Sequence, residues 1–80
     1  MKRPDVYKLI DGERDYQDSK WRPEADAETP VAAWIIYLQR QLGDAAEAIY
    51  FLDKGKALEH IRKIAALAVA CMEYNETKPR

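Results

Sequence analysis

The sequence predicts an all-α fold: a three-helix chain, two long antiparallel helices plus an N-terminal helix, that assembles into a helical oligomer. Three observations predict it. Apolar residues recur at helical spacing along most of the chain. The interruptions coincide with two prolines, at 22–30, and with a glycine among charged residues, at 53–56. No segment reads as a strand, a repeat or a low-complexity tract.

The first helix is expected from about Pro4 to Lys20. Pro4 suits a first helical position, where its missing N–H would be unpaired anyway. Val6, Leu9, Ile10, Tyr16 and Trp21 form a broken apolar stripe, and Gly12 weakens the middle by ~1 kcal/mol relative to alanine. Glu13 and Gln17 share one face, as do Arg14 and Asp18, because residues four apart are neighbours on a helix. Residues 22–30, which include two prolines, show no period and read as a linker.

Thr29 and Pro30 then suit the N-cap and first position of a second helix. Its apolar positions 31, 34, 35, 38, 42, 45, 49 and 52 follow the series of an amphipathic helix. Gly43 inside it suggests a close helix–helix approach, with Ala45 and Ala46 beside it. Asp53-Lys54-Gly55-Lys56 breaks the pattern, with Gly55 as the natural left-handed cap. The third helix is expected from about Lys56 to Tyr74. Its segment Ile64–Met72 is apolar on nearly all sides, and such a helix is buried on all sides. Residues 75–80 are expected to fray.

Size and composition narrow the class. Eighty residues make one small domain, read as 1–80. So short a chain usually needs disulfides, a metal or partner subunits. The single cysteine, Cys71, excludes an internal disulfide, and there is no Cys/His set for structural zinc. Self-association remains, and a homo-oligomer is expected. Thirteen Lys and Arg against fourteen Asp and Glu argue against general nucleic-acid binding. No stretch reads as a membrane span or a secretory signal core, so the expected setting is the cytoplasm, with Cys71 reduced.

The chemistry-bearing residues are few. His60 is the only histidine, Cys71 lies in an apolar run, and three isolated glycines do not make a phosphate loop. Asp44 and Glu47, with Glu59, are the available carboxylates for a rebuilt Mg²⁺ site, although solvated surface acids are the commoner role. The cations Arg14, Lys20, Arg22, Arg40, Arg62 and Lys63 are groups of the type that bind phosphate. Tyr16, Trp21, Trp34, Tyr37, Tyr50 and Phe51 are available to stack on a base, although for Trp34 and Phe51 a place in the core is the commoner role.

Glu13-Arg14-Asp15-Tyr16-Gln17-Asp18-Ser19-Lys20-Trp21 carries the pattern Glu-Arg-x-x-Gln-x-x-Lys-Trp. It resembles the opening of small phage MazG-like proteins, members of the all-α nucleotide pyrophosphohydrolases. Val31–Leu38 is similar to the Trp-containing start of that family's metal-site helix, and Lys63–Glu73 to its closing Ala-rich helix. The resemblance implies Mg²⁺ held by Glu-Glu-x-x-Glu on one helix and Glu-x-x-Asp on the next. Aligned on Leu42-Gly43 and Ile64-Ala65-Ala66, those motifs fall on Arg40, Gln41 and Asp44, and on His60 and Lys63. One carboxylate of five survives, as Asp44. Arginine, lysine and histidine in place of acids repel Mg²⁺ and favour direct contact with phosphate. Without the metal, no group there activates water.

The expectation is therefore a non-catalytic, phage-type nucleotide-binding protein. It would have no catalytic residues, no metal and no cofactor, and it would sequester phosphate-bearing nucleotides such as immune second messengers in the host cytoplasm. The ligand-binding residues are Arg14, Lys20, Trp21, Trp34, Tyr37, Arg40, Asp44, His60, Arg62 and Lys63, with subunit interfaces suited to clamping a ligand of several phosphates. Two alternatives stand beside it: a Mg²⁺-dependent nucleotide pyrophosphohydrolase using Asp44, Glu47 and Glu59, and a helical protein-interaction inhibitor of a host factor.

Overall fold

A computed structural model describes all 80 residues. The chain is all-α, with four helices: α1 Arg3–Lys20, α2 Pro23–Glu28, α3 Val31–Tyr50 and α4 Lys54–Tyr74. Helix α4 is the centre of the molecule. Helix α3 packs along it, while α1 and the short α2 also pack on α4. No helix is long and apolar enough to cross a membrane.

The α3–α4 hairpin turns within three residues. Asp53 N–H donates to the Ala48 carbonyl at 2.8 Å and Leu52 N–H to the Ile49 carbonyl at 2.9 Å. This pair of bonds is the Schellman end of a helix, which needs a left-handed residue at its penultimate position. Leu52 fills that position with φ 61°. Asp53 then caps α4, its Oδ1 accepting from Lys56 N–H at 3.0 Å. Gly55 is therefore not the left-handed cap that the sequence suggests; it lies in the first turn of α4, which begins at Lys54.

Other boundaries also shift. Residues 22–30 are not a plain linker, because Pro23–Glu28 forms α2, with a proline in the first turn where a missing N–H costs nothing. Thr29 does not cap α3. Its hydroxyl donates to the Ala25 carbonyl at 2.7 Å, closing α2, and Pro30 occupies the N-cap of α3. Residues beyond Asn75 lie outside any helix.

The core is thin. The buried apolar residues are Trp34 and five alanines: Ala45, Ala48, Ala57, Ala66 and Ala70. Alanines at the α3–α4 contact let the two backbones approach closely. Gly43 takes no part in this: an added methyl there meets nothing within 4 Å. The apolar middle of α4 is only partly enclosed by one chain; Ile64, Leu67 and Val69 are half-buried and Met72 is exposed.

Helix α1 inverts its expected face. Val6, Leu9, Tyr16 and Trp21 are exposed, and the buried residues are Glu13, Arg14 and Gln17. These are three of the residues that define the Glu-Arg-x-x-Gln pattern. They are buried because each of the two charges finds a partner on α4. Arg62 Nε donates to Glu13 Oε1 at 2.8 Å, and Arg14 Nε donates to Glu73 Oε1 at 2.9 Å.

Candidate functional site

Helical spacing divides the α3–α4 hairpin into two flanks on either side of the contact line through Ala45 and Ala48. One flank carries Tyr37, Arg40, Asp44, Glu47 and Phe51 on α3, and Lys56, His60 and Lys63 on α4. Towards the hairpin end these residues enclose a hollow of about 390 Å³, lined by Asp44, Glu47, Phe51, Asp53, Lys56 and His60, with Ala48 at its floor. The two helices are locked in register beside it by Gln41 and His60, whose Oε1 and Nδ1 lie 2.8 Å apart. With the amide oxygen as acceptor, Nδ1 carries the proton and Nε2 remains without a partner. Of the positions to which the family resemblance assigns metal-ligand motifs, 41 and 60 thus meet directly across the hairpin. Positions 40, 44 and 63 flank them by helical spacing.

The charges along this flank are segregated. The hollow is rich in acid, with Asp44, Glu47 and Asp53 facing Lys56 and His60. Arg40 and Lys63 lie beyond it towards the middle of the hairpin. Neither forms an ion pair, since the salt bridges of the chain involve only Arg14 and Arg62. Arg40 is exposed and Lys63 half-buried. Tyr37, one turn from Arg40, is half exposed and packs edge-on against Trp34, centroids 6.3 Å apart.

The remaining candidates are placed elsewhere. Arg14 is committed inside the fold: besides Glu73 it reaches Asp18 at 3.0 Å and Gln17 at 3.3 Å, leaving its guanidinium no free edge for a phosphate. These bonds, above all that to Glu73, push its pKa further up and hold it permanently charged. Arg62 is half exposed but paired with Glu13. Lys20 sits 4.9 Å from the Tyr16 ring centroid, at the exposed end of α1, and the Tyr16 contact raises its pKa. Trp21 is exposed at the same end. Trp34 is 3% exposed and belongs to the core; nothing in the chain bonds its buried indole Nε1. Phe51, readable from sequence as core, is exposed instead, stacked edge-on with Tyr50 at the hairpin tip.

Residues to which the sequence assigns no binding role also shape this flank. Asp53 and Lys56, which the sequence marks only as the break between the two helices, line the hollow, and Gln41, read there only as a motif position that lost its acid, braces it. Glu59 does not line it. No group of three or more His, Cys, Asp or Glu side chains converges as a metal site would require. Helix α2 docks near Glu73, roughly 20 Å along α4 from His60 at 1.5 Å per residue, so it does not cover the hollow. Comparison of the chain with protein-family models, with curated proteins and with solved structures returns no match.

Proposed function

We propose that this protein binds a phosphate-bearing nucleotide without cleaving it, and that its biological role is sequestration. Nucleotide second messengers with more than one phosphate, of the kind used in antiviral immunity, are the proposed ligands. The observation that carries the reading is the pair Arg40 and Lys63: two cations without carboxylate partners, on one flank of the hairpin, at positions where the resembling hydrolases carry acids.

A phosphate between two such groups gains charge-assisted hydrogen bonds that need no bridging metal. Tyr37, on the same helical stripe, offers a ring face for a base, and stacking of this type is tolerant of base identity. The free Nε2 of His60 and the Lys56 ammonium extend the polar surface towards the hollow. The acids Asp44, Glu47 and Asp53 disfavour a second phosphate within the hollow itself. They suit a ribose hydroxyl or an exocyclic amine, both of which donate hydrogen bonds to carboxylates.

Calorimetric titration with linear and cyclic nucleotides in the absence of Mg²⁺ tests this. The wild-type chain is expected to bind at least one class. Arg40→Ala and Lys63→Glu are expected to abolish the heat of binding while leaving helicity unchanged. Normal binding by both variants would refute the assigned site. Hydrolysis that appears with Mg²⁺ and depends on Asp44 and Glu47 would establish the pyrophosphohydrolase alternative instead.

A further inference from the structure

The hollow at the hairpin end presents an unbalanced set of hydrogen-bonding groups. Asp44, Glu47 and Asp53 offer only acceptors, and the Lys56 ammonium is the one side-chain group there that only donates. Asp53 is partly engaged in the cap of α4, where its Oδ1 accepts from Lys56 N–H at 3.0 Å. Asp44 and Glu47 take part in no ion pair of the chain. His60 adds a further acceptor. Its Nδ1 lies 2.8 Å from Gln41 Oε1, so the neutral ring keeps its proton on Nδ1 and carries a lone pair on Nε2. Phe51, 68% exposed, gives the hollow an aromatic wall.

We propose that the hollow receives the base of the bound nucleotide and that this base is guanine. The proposal rests on the reading of Arg40 and Lys63 as phosphate ligands and names the base that goes with them. Position supports it first. Asp44 lies one turn beyond Arg40 on α3, and Glu47 about 10 Å beyond it at 1.5 Å per residue. A nucleotide held by its phosphates at Arg40 and Lys63 therefore reaches the hollow with its base, the sugar spanning the interval. At about 390 Å³ the hollow falls within the ~300–1,000 Å³ of small-ligand sites.

The hydrogen-bonding edge then selects the base. Guanine carries a ring N–H directly beside an exocyclic amine, with no lone pair between them. One carboxylate accepts from both in parallel, in the fork geometry it also forms with guanidinium groups. The second amine hydrogen remains for another acceptor of the hollow, and the guanine carbonyl oxygen accepts from the Lys56 ammonium. Adenine and cytosine set a ring-nitrogen lone pair beside their amine, and that lone pair meets carboxylate oxygens with no hydrogen between them. Uracil and hypoxanthine have the ring N–H but no amine. Leaving such acceptors opposed or unpaired costs more than losing a contact, and this is how a polar site rejects a near-isostere. Stacking on Phe51 adds affinity for any base without reading its edge.

Calorimetric titration with GTP, ITP and ATP, without Mg²⁺, separates these contributions. The three share their phosphates and sugar; ITP lacks only the guanine amine, and ATP reverses the edge. GTP is expected to bind at least about tenfold more tightly than either. Asp44→Asn keeps the size of the side chain and replaces one acceptor by a donor. It is expected to bring the three affinities within about threefold of one another while all three still bind, a change of selectivity that unfolding cannot produce. Should that variant fail to fold, the wild-type comparison of GTP with ITP decides alone. Equal affinity of the wild type for the three nucleotides would overturn the guanine assignment and leave the phosphate site standing. Failure to bind any of them would overturn both.

Discussion

Leu52 holds a conformation that an L-residue with a branched side chain seldom adopts, and its side chain is 93% exposed. It gains no packing in return. Leu52→Gly is therefore predicted to stabilise the fold by about 1 kcal/mol, a rise in melting temperature of roughly 4–8 °C for a domain this small. A fall would contradict the absence of packing around the Leu52 side chain. The Arg14 cluster makes the opposite case. Its guanidinium is nearly inaccessible, and Glu73 supplies two of its bonds, at 2.9 and 3.3 Å. Glu73→Ala is predicted to cost about 2 kcal/mol in chemical denaturation, tempered by the half exposure of the carboxylate and by Asp18, which stays in place. Nearby Asp26 has its pKa raised by burial, with Asp18 and Glu73 adding to the effect and Arg14 opposing it. A carboxyl whose folded pKa is raised favours folding while protonated, and that contribution is lost as pH rises through its folded pKa. Asp26→Asn is thus predicted to raise stability at neutral pH and to leave it unchanged near pH 3, where Asp26 is already neutral; equal effects at both would contradict the assignment. The sequence points to Arg14 and Arg62 as phosphate ligands because both are cations of the type that bind phosphate, Arg62 beside His60 and Lys63 on its helix. It did not show that each has an acid waiting across α1 and α4, since Glu13 and Glu73 are separated from those partners by 49 and 59 residues.

At the scale of elements, local rules and tertiary packing divide the account. The long helices α3 and α4 were legible because their apolar period is sustained and their break at Asp53 is sharp. Helix α1 was legible as a helix but not in its orientation. A stripe of Val6, Leu9 and Ile10 argued for one buried face, while two ion pairs and Gln17 turned another inward. Hydrophobic pattern alone ranks charged residues as solvent-facing, and only the paired geometry reverses this. Gly43 illustrates a second limit: a glycine in a helix signals close approach, yet here nothing approaches it within the chain. Gly12 in α1 is equally open. Gly12→Ala is predicted to stabilise the chain by about 1 kcal/mol through helix propensity, measured by thermal denaturation. A loss of stability would contradict the open surroundings of Gly12. The polar stripe of α3 from Tyr37 to Phe51 was legible residue by residue, but the hollow it forms with α4 depends on the Gln41–His60 register, which no single helix encodes.

At the scale of the whole molecule, a thin core and an excess of surface are two expressions of one fact. The radius of gyration is 13.4 Å, against about 11.6 Å for a compact domain of 80 residues. No large side chain is fully buried. The apolar middle of α4 is only partly enclosed, and the apolar flank of the α3–α4 hairpin is left uncovered by the chain. The central claim is that the polar flank retains a nucleotide intact. Native mass spectrometry of the protein incubated with linear and cyclic nucleotides, with and without Mg²⁺, tests it most directly, because subunit number and ligand mass are read together. The account predicts an intact nucleotide retained on an assembly of chains without Mg²⁺, and lost in Arg40→Ala. Product masses that appear only with Mg²⁺, or an assembly that retains no nucleotide from the panel, would contradict it.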